Sequence, residues 1–380
     1  MLSLSIIIIS FCYVILILSL TYGFNKVKAF KPKDNQQKTT FTVVIPFRNE
    51  AENLEVLINS MTSLHYDKAK YEVILVDDAS EDDSVAIITQ LLSKEPFNKL
   101  ESSFSIVKND RATNAPKKDA ITSAVAIANH DWIVTTDADC ILPKYWLATF
   151  DAYIQEHQPK MMVAPVTYHT TDSFLKRFQL LDFLSLMGAT IGGFGIHHPF
   201  LCNGANLAYR KSLFQEVNGF LGNSNIASGD DIFLLEKALK TDKKSVHYIK
   251  AHTATVLTKA QPNWKSLVSQ RKRWAAKTSN YHSAFGKLTG VLVLLMNATV
   301  IVSCILALCT ALHWFVFLVV FFLKLVSDFL LLYKTSVFFN QTRYLRSFLA
   351  AAVIYPFFSV YIAFNSLFTS YNWKERRFKK

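Results

Sequence analysis

The chain has 380 residues, 51% hydrophobic and only 18% charged, with 41 Lys+Arg against 29 Asp+Glu and a formal charge of +12. A charged share below the roughly 25% of ordinary soluble domains excludes general disorder and an all-soluble enzyme, and it assigns part of the chain to lipid. Eleven Gly and ten Pro exclude collagen-like or low-complexity chains, and five scattered Cys with no zinc or disulfide spacing fit a reducing compartment.

Residues 2–22 carry no charge across 21 positions. At 1.5 Å per residue that run covers a hydrocarbon core of roughly 30 Å, and it predicts a transmembrane helix. A cleaved signal peptide is the alternative, but the run has neither a basic start nor a small-residue exit. Lys26, Lys28, Lys31 and Lys33 follow it, which by the positive-inside rule predicts a cytoplasmic location for what comes next.

From about residue 40 to 280 short β-branched runs alternate with amphipathic stretches, the pattern of an α/β domain with a mostly parallel sheet. Three strands are predicted: 41–45 ending at Pro46, 71–76 ending at Asp77 and Asp78, and 132–136 ending at Asp137-Ala-Asp139. In open α/β sheets ligands sit outside the carboxyl ends of strands, so the three endings point to one crevice. Asp137 and Asp139 can turn oxygens towards a hard divalent cation, which would bridge nucleotide phosphates; the same spacing also serves plain turn chemistry. Asp77 and Asp78 could likewise cap the helix after them. Lys117 and Lys118 precede a helical stretch over 119–128, and Asp230 and Asp231 open another over 232–239. Gln270 and Arg273 share a helix face beside Trp274, where Arg can hold a diphosphate. Trp264, Lys265, Arg271, Lys272 and Lys277 would suit an anionic membrane interface on that helix.

The last third returns to lipid composition, with apolar segments at 288–308, 313–333 and 348–368. Lys324 and Asp328 lie four apart on one helix face, where pairing lowers the cost of burying either charge. Three clean crossings would put the basic tail over 374–380 outside, against the positive-inside rule. A re-entrant or interfacial segment would resolve this, and Pro356 singles out the last one. The expected division is a membrane helix over 1–24, an α/β domain over 40–260, an interfacial region over 261–285, membrane segments over 286–370 and a basic tail over 371–380.

Five motifs stand in one order: VVIPFRNE at 43–50, VDDASED at 76–82, TDADC at 136–140, SGDD at 228–231 and QRKRW at 270–274. Together they resemble the family 2 glycosyltransferases of GT-A fold, over roughly residues 40 to 280, and the flanking helices are similar to those of the family's membrane-integrated members. The resemblance implies an inverting transferase that uses a divalent cation, Mg²⁺ or Mn²⁺, and takes a sugar from a nucleotide donor, a UDP-sugar above all. It implies that Pro46, Arg48 and Glu50 edge the nucleotide pocket and that Asp78 accepts a hydrogen bond from the base. It places Lys118 (or Lys117), Asp137, Gln270, Arg273 and Trp274 around the nucleotide sugar, with Asp139 and Asp137 on the metal. In the family an Asp after a Glu deprotonates the acceptor; here the Glu is replaced by Asp230, and Asp231 takes the role of base, its neighbour Asp230 raising its proton affinity. Residues 202–210 resemble the acceptor side, whereas His197 and His198 read as ordinary surface residues.

The acceptor stays divided between a lipid-linked hydroxyl and a growing glycan, the latter suggested by the likeness of Q-x-x-R-W to processive synthases. A non-catalytic nucleotide-sugar-binding membrane protein is the rival from another class. A dinucleotide oxidoreductase lacks its G-x-G-x-x-G after the first strand. Nucleic acid is not an expected partner, because the basic clusters flank membrane segments.

Overall fold

The computed structural model describes residues 2–33, 36–94, 103–169, 173–278, 280–368, 371–373 and 376–378. In chain order these form α1 (Leu2–Lys26), β1 (Phe41–Phe47), α2 (Ala51–Thr62), β2 (Tyr71–Asp77), α3 (Ser84–Leu92), β3 (Phe104–Lys108), α4 (Pro116–Ile127), β4 (Trp132–Thr135), α5 (Trp146–His157), β5 (Met161–Val163), β6 (Val166–Tyr168) and α6 (Phe174–Gly195). There follow β7 (Leu207–Arg210), α7 (Lys211–Glu216), α8 (Asp230–Asp242), β8 (Val246–Tyr248), β9 (Val256–Thr258), α9 (Trp264–Thr278), α10 (Ala284–Leu308), α11 (Trp314–Phe338), α12 (Phe348–Phe368) and a short β10–β11 pairing (Tyr371–Trp373, Arg376–Phe378). The chain divides into a sheet unit, Lys28–His169 with Cys202–Lys259, and a helix unit, Met1–Val27, Thr170–Leu201 and Ala260–Lys380.

The sheet unit holds seven strands in the order β3-β2-β1-β4-β7-β5-β8. β3, β2, β1 and β4 run parallel; β7 is antiparallel to both β4 and β5, and β8 pairs parallel with β5. Val43, Val44 and Ile45 on β1 and Ile133 and Val134 on β4 are fully buried, as expected of parallel strands covered on both faces. Their unbroken β-branched runs are the reason these strands were legible. Register aligns Phe47 with Asp77 and Asp77 with Lys108, so β1, β2 and β3 finish level, while β4 ends earlier with Thr135 opposite Val44; the loops after these parallel strands open on one edge. This is the mostly parallel α/β architecture expected from the sequence.

In the helix unit, α1, α6, α10, α11 and the stretch Thr342–Ser366 are each long and apolar enough to cross a membrane. Four correspond to the segments read from sequence; α6 is an addition. It removes residues 170–201 from the stretch 40–260 that the sequence reading gave whole to the α/β domain. The strands on either side of α6 belong to one unit, and β7 after it is hydrogen-bonded to β4 before it, so α6 cannot carry the chain once across a bilayer. Its hydrophobic window is 72% buried, against 28–39% for the other four, which suits a helix enclosed by protein. α12 runs unbroken through Pro356. Of the basic tail, Lys374, Glu375, Lys379 and Lys380 lie outside the described residues.

Helices in an apolar medium gain little from hydrophobic burial and associate through close backbone approach instead. α1 and α6 do this at glycines: a Cβ at Gly192 would stand 2.3 Å from the Leu20 carbonyl oxygen, and one at Gly195 would stand 1.8 Å from that of Gly23. Gly290 on α10 meets nothing within 4 Å. Gly192→Ala should therefore destabilise the detergent-solubilised protein by about 1–3 kcal/mol, the usual penalty for overpacking, and Gly290→Ala should leave it unchanged. Thermal unfolding of the two variants checks this, and equal melting temperatures would contradict the close packing.

Candidate active site

The carboxyl edge of the sheet gathers acid groups from positions far apart in sequence. Asp137 and Asp139 follow β4, both half-buried, and Asp230 and Asp231 begin α8. Carboxylates in a first helical turn are favoured by the helix dipole. Gly229, immediately before them, has φ +89°, a left-handed conformation that glycine adopts without steric cost. It turns the chain so that both carboxylates face back toward β4.

Lys117, in the first turn of α4, joins the two acid pairs. Its Nζ lies 2.7 Å from Asp137 Oδ1 and 3.2 Å from Asp230 Oδ2, and the side chain is 18% exposed. Burial alone would push this ammonium down, but Asp137, Asp230 and Asp231 outweigh it and hold the group well above the ordinary lysine value, so Lys117 is a permanent cation here. Gly204 closes the cluster from the side. Its carbonyl accepts from Thr135 Oγ1 at 2.8 Å, and its N–H donates to Asp231 Oδ2 at 3.3 Å. A Cβ at this position would lie 2.9 Å from Asp230 Oδ2 and 3.3 Å from Lys117 Nζ. Asn206 anchors the same turn, fully buried, accepting from Trp146 Nε1 and donating to the carbonyls of Pro165 and Ala254. Asp231 Oδ1 accepts from the Ile232 N–H at 2.8 Å.

Lys118 follows in the same turn of α4. Its ammonium is buried and donates to the carbonyls of Asn223 at 2.7 Å and Ile226 at 2.8 Å, over the Phe233 ring. It thus holds the loop that leads into Gly229, whereas Lys117 reaches the carboxylates; adjacent residues in one helical turn diverge by about 100°.

The loop after β2 forms a second group. Asp78 is buried, with Oδ1 accepting from Asn109 Nδ2 at 2.8 Å and Arg111 Nε at 2.5 Å, and Arg111 Nη2 also reaches the Asp78 carbonyl at 2.6 Å. Asp77 serves turn chemistry, Oδ1 accepting from the Ser80 N–H. Arg48 is buried and spends its guanidinium on the carbonyls of Asp78 and Ala79 and on Glu81. It ties down a turn in which Ala79 takes φ +56°, a strained value for a non-glycine residue. Pro46 is half-buried at the end of β1, and Glu50 holds the start of α2 by accepting from Asn53. Asn109 and Arg111 escaped the sequence reading because they follow β3, whose short and partly exposed run gives no buried-strand signal.

Cys140, buried after Asp139, has its thiol pushed up by burial and then by Asp139 and Asp137, so it stays protonated and unreactive. A divalent cation would take Asp137 and Asp139. The donor set fits such an ion: two hard carboxylates, one of them already drawing the cationic Lys117. Among the described residues no group of three or more His, Cys, Asp or Glu is arranged to hold a metal ion.

Gln270, Arg273 and Trp274 lie on α9 in the helix unit. Gln270 Oε1 accepts from Arg271 Nη1, and the Arg271 guanidinium stacks 4.2 Å from the Trp274 ring centroid. Arg271 itself is 5% exposed and paired with Asp182 at 2.6 Å, so it does not belong to the interfacial basic set in which the sequence reading placed it. His197 and His198 are exposed.

Residues 132–371 match the model of the glycosyl transferase family group 2, and residues 42–217 match that of glycosyl transferase family 2. Among curated proteins, the chain is 25% identical over 174 residues to a poly-beta-1,6-N-acetyl-D-glucosamine synthase of Staphylococcus aureus (strain COL), covering 44% of this chain and 37% of that protein. It is 24% identical over 242 residues to the "Probable glycosyltransferase YdaM" of Bacillus subtilis (strain 168), covering 62% and 54%. The chain thus spans between a third and about half the length of these relatives. Among solved structures, the mannosyltransferase PcManGT from Pyrobaculum calidifontis, in complex with GDP-Man and Mn²⁺, has the same fold with a TM-score of 0.59 at 16% identity, covering 97% of this chain and 99% of that one.

Replacing each lysine separately tests the two placements. Lys118→Met should lower stability by about 1–3 kcal/mol, because two buried carbonyls lose their donor. Lys117→Met should reduce sugar transfer in a protein that still folds, with a loss of stability that Mg²⁺ partly offsets. Thermal unfolding and a transfer assay on both variants decide it; Lys117→Met fully active and Lys118→Met fully stable would reverse the assignment.

Proposed function

The chain belongs to the family 2 glycosyltransferases, and from that premise we propose that it transfers a sugar, with inversion, from a nucleotide-sugar donor to a hydroxyl delivered at the membrane. The observation that carries this reading is the single ammonium of Lys117, which joins Asp137 after β4 to Asp230 at the start of α8. A cation between two such acid groups marks the place where a diphosphate and an acceptor hydroxyl would meet.

Asp78, held by Asn109 and Arg111, receives the base. Its carboxylate accepts from a ring N–H, which uracil has and cytosine lacks; UDP is the proposed carrier. Asp137 and Asp139 would hold the divalent ion, Mg²⁺ or Mn²⁺, and when bound it supplies charge to stabilise the departing diphosphate. Lys117 adds a fixed positive charge at the same edge. Asp231, oriented by the Gly204 N–H, takes the proton of the attacking hydroxyl. Gly204 leaves room at the cluster that a side chain would fill. Gln270, Arg273 and Trp274 are assigned to the diphosphate and acceptor sugar.

The protein is associated with membrane by its apolar helices; we place it as an integral protein of the plasma or inner membrane with the sheet unit in the cytoplasm, where nucleotide sugars are made, on the strength of the lysines after α1. The acceptor is a lipid-linked or glycan hydroxyl. Processive addition is the second reading, favoured by the similarity to a poly-N-acetylglucosamine synthase.

With membranes, a panel of labelled nucleotide sugars and Mg²⁺, transfer should occur, cease in excess chelator and return with Mg²⁺ or Mn²⁺. Asp231→Asn should lose about 10²- to 10⁴-fold in turnover while donor binding is retained. Full activity in chelator would remove the metal from the reading, and an active Asp231→Asn beside a dead Asp230→Asn would move the base by one residue.

A further inference from the structure

The helix unit contains a buried ion pair outside the acid cluster of the sheet. Asp182 of α6 and Arg271 of α9 have side chains only 6% exposed, with Nε 2.6 Å from Oδ2. Removing two charges from water costs more than their attraction readily returns, so such a pair is poor glue, and apolar residues of similar volume would hold two helices as well. The remaining contacts of Arg271 show what the pair achieves instead.

Arg271 is a residue that the Q-x-x-R-W spacing skips, yet its guanidinium touches two of the motif's side chains. Nη1 donates to Gln270 Oε1, Cζ lies over the Trp274 ring 4.2 Å from its centroid, and Nε is spent on Asp182. Gln270 thereby commits its carbonyl oxygen to Arg271, so the two N–H donors of its amide are what it can offer a ligand. Trp274 is caught between Arg271 and Phe183 of α6, 6.2 Å away. Asp182 also interacts electrostatically with Tyr355 of α12. One turn earlier on the same face of α6, Gln179 grips the lead-in to α9 through both amide groups, accepting from the Gln261 N–H at 2.8 Å and donating to its carbonyl at 3.0 Å. α6 therefore holds α9 by its side chains at two places, the lead-in and Arg271, while the backbone of α9 packs on α12.

We propose that Asp182 is a positioning residue for the transfer reaction: through Arg271 it sets the side-chain orientation of Gln270 and Trp274. This rests on the reading that Gln270, Arg273 and Trp274 take part in transfer. A planar, forked guanidinium is required, because one group must pair with a carboxylate, donate to an amide and stack on an indole at once; an ammonium keeps the charge but cannot do all three.

The test compares Arg271→Lys, Asp182→Asn, Gln270→Ala and Arg273→Ala in the full-length, detergent-solubilised protein, measuring thermal unfolding, kcat and the KM of the donor. Arg271→Lys keeps the ion pair and should unfold at nearly the wild-type temperature, yet kcat should fall about 10- to 100-fold, the scale of a misplacement of about 1 Å at a reacting centre. Asp182→Asn should lose kcat to the same extent wherever it folds. Wild-type kcat in Arg271→Lys, while Gln270→Ala and Arg273→Ala are disabled, would overturn the proposal and leave the reading of the motif intact. Wild-type kcat in Gln270→Ala and Arg273→Ala would overturn that reading and the proposal with it.

Discussion

Four carboxylates at one edge of a sheet repel one another, and the site exists only if a positive charge offsets them. At an effective dielectric of about 20, two unit charges about 4 Å apart interact by roughly 4 kcal/mol, a large share of the stability of a domain. Lys117 supplies the offset by sitting between Asp137 and Asp230. The rest of the sheet unit follows from the need to bring that ammonium and those oxygens together from α4, β4 and α8. Parallel strands open their carboxyl ends on one edge, Gly229 turns the chain into α8, Gly204 leaves space beside the cluster, and Lys118 holds the loop between.

The same economy recurs in the helix unit at a different cost. Arg271 and Asp182 are buried among apolar helices, where each alone would be expensive, and Lys324 on α11 pairs with Asp328 at 2.5 Å, with the Tyr13 hydroxyl donating to that carboxylate from α1 at 2.7 Å. In both pairs an acid and a base neutralise each other, so the helices stay compatible with an apolar medium. The pairs differ in what they touch. Lys324 and Asp328 join helix to helix, whereas Arg271 carries its orientation into the side chains of Gln270 and Trp274.

Much of this was legible in the residues. Strands β1, β2 and β4 declare themselves by unbroken apolar runs, because strands covered on both faces have no polar face to interrupt them. Their acidic endings marked the edge of the sheet where the carboxylates gather. What escaped has physical reasons. β3 is a partly exposed strand of five residues, and with it went Asn109 and Arg111, which occupy Asp78. Sequence could not choose between Lys117 and Lys118, since one residue of helix phase decides which ammonium meets Asp137. α6 was missed as an apolar helix because Lys176, Arg177, Gln179 and Asp182 interrupt it; Lys176 is exposed, and the other three find tertiary partners, Arg177 reaching Ser347 at 2.6 Å, Gln179 reaching Gln261 and Asp182 reaching Arg271. Arg271 looked like one more basic residue on an interfacial helix, and only its burial distinguishes it.

The central claim is that the edge joined by Lys117 is where the donor diphosphate binds with its divalent ion. Calorimetric titration of the full-length protein with UDP, in Mg²⁺ and in chelator, addresses it without requiring the acceptor. UDP should bind in Mg²⁺ and weaken strongly in chelator, and Asp137→Asn should abolish the difference between the two conditions while uridine, which carries no phosphate, binds both proteins alike. Equal UDP affinity in wild type and Asp137→Asn, with and without Mg²⁺, would show that the diphosphate is held elsewhere.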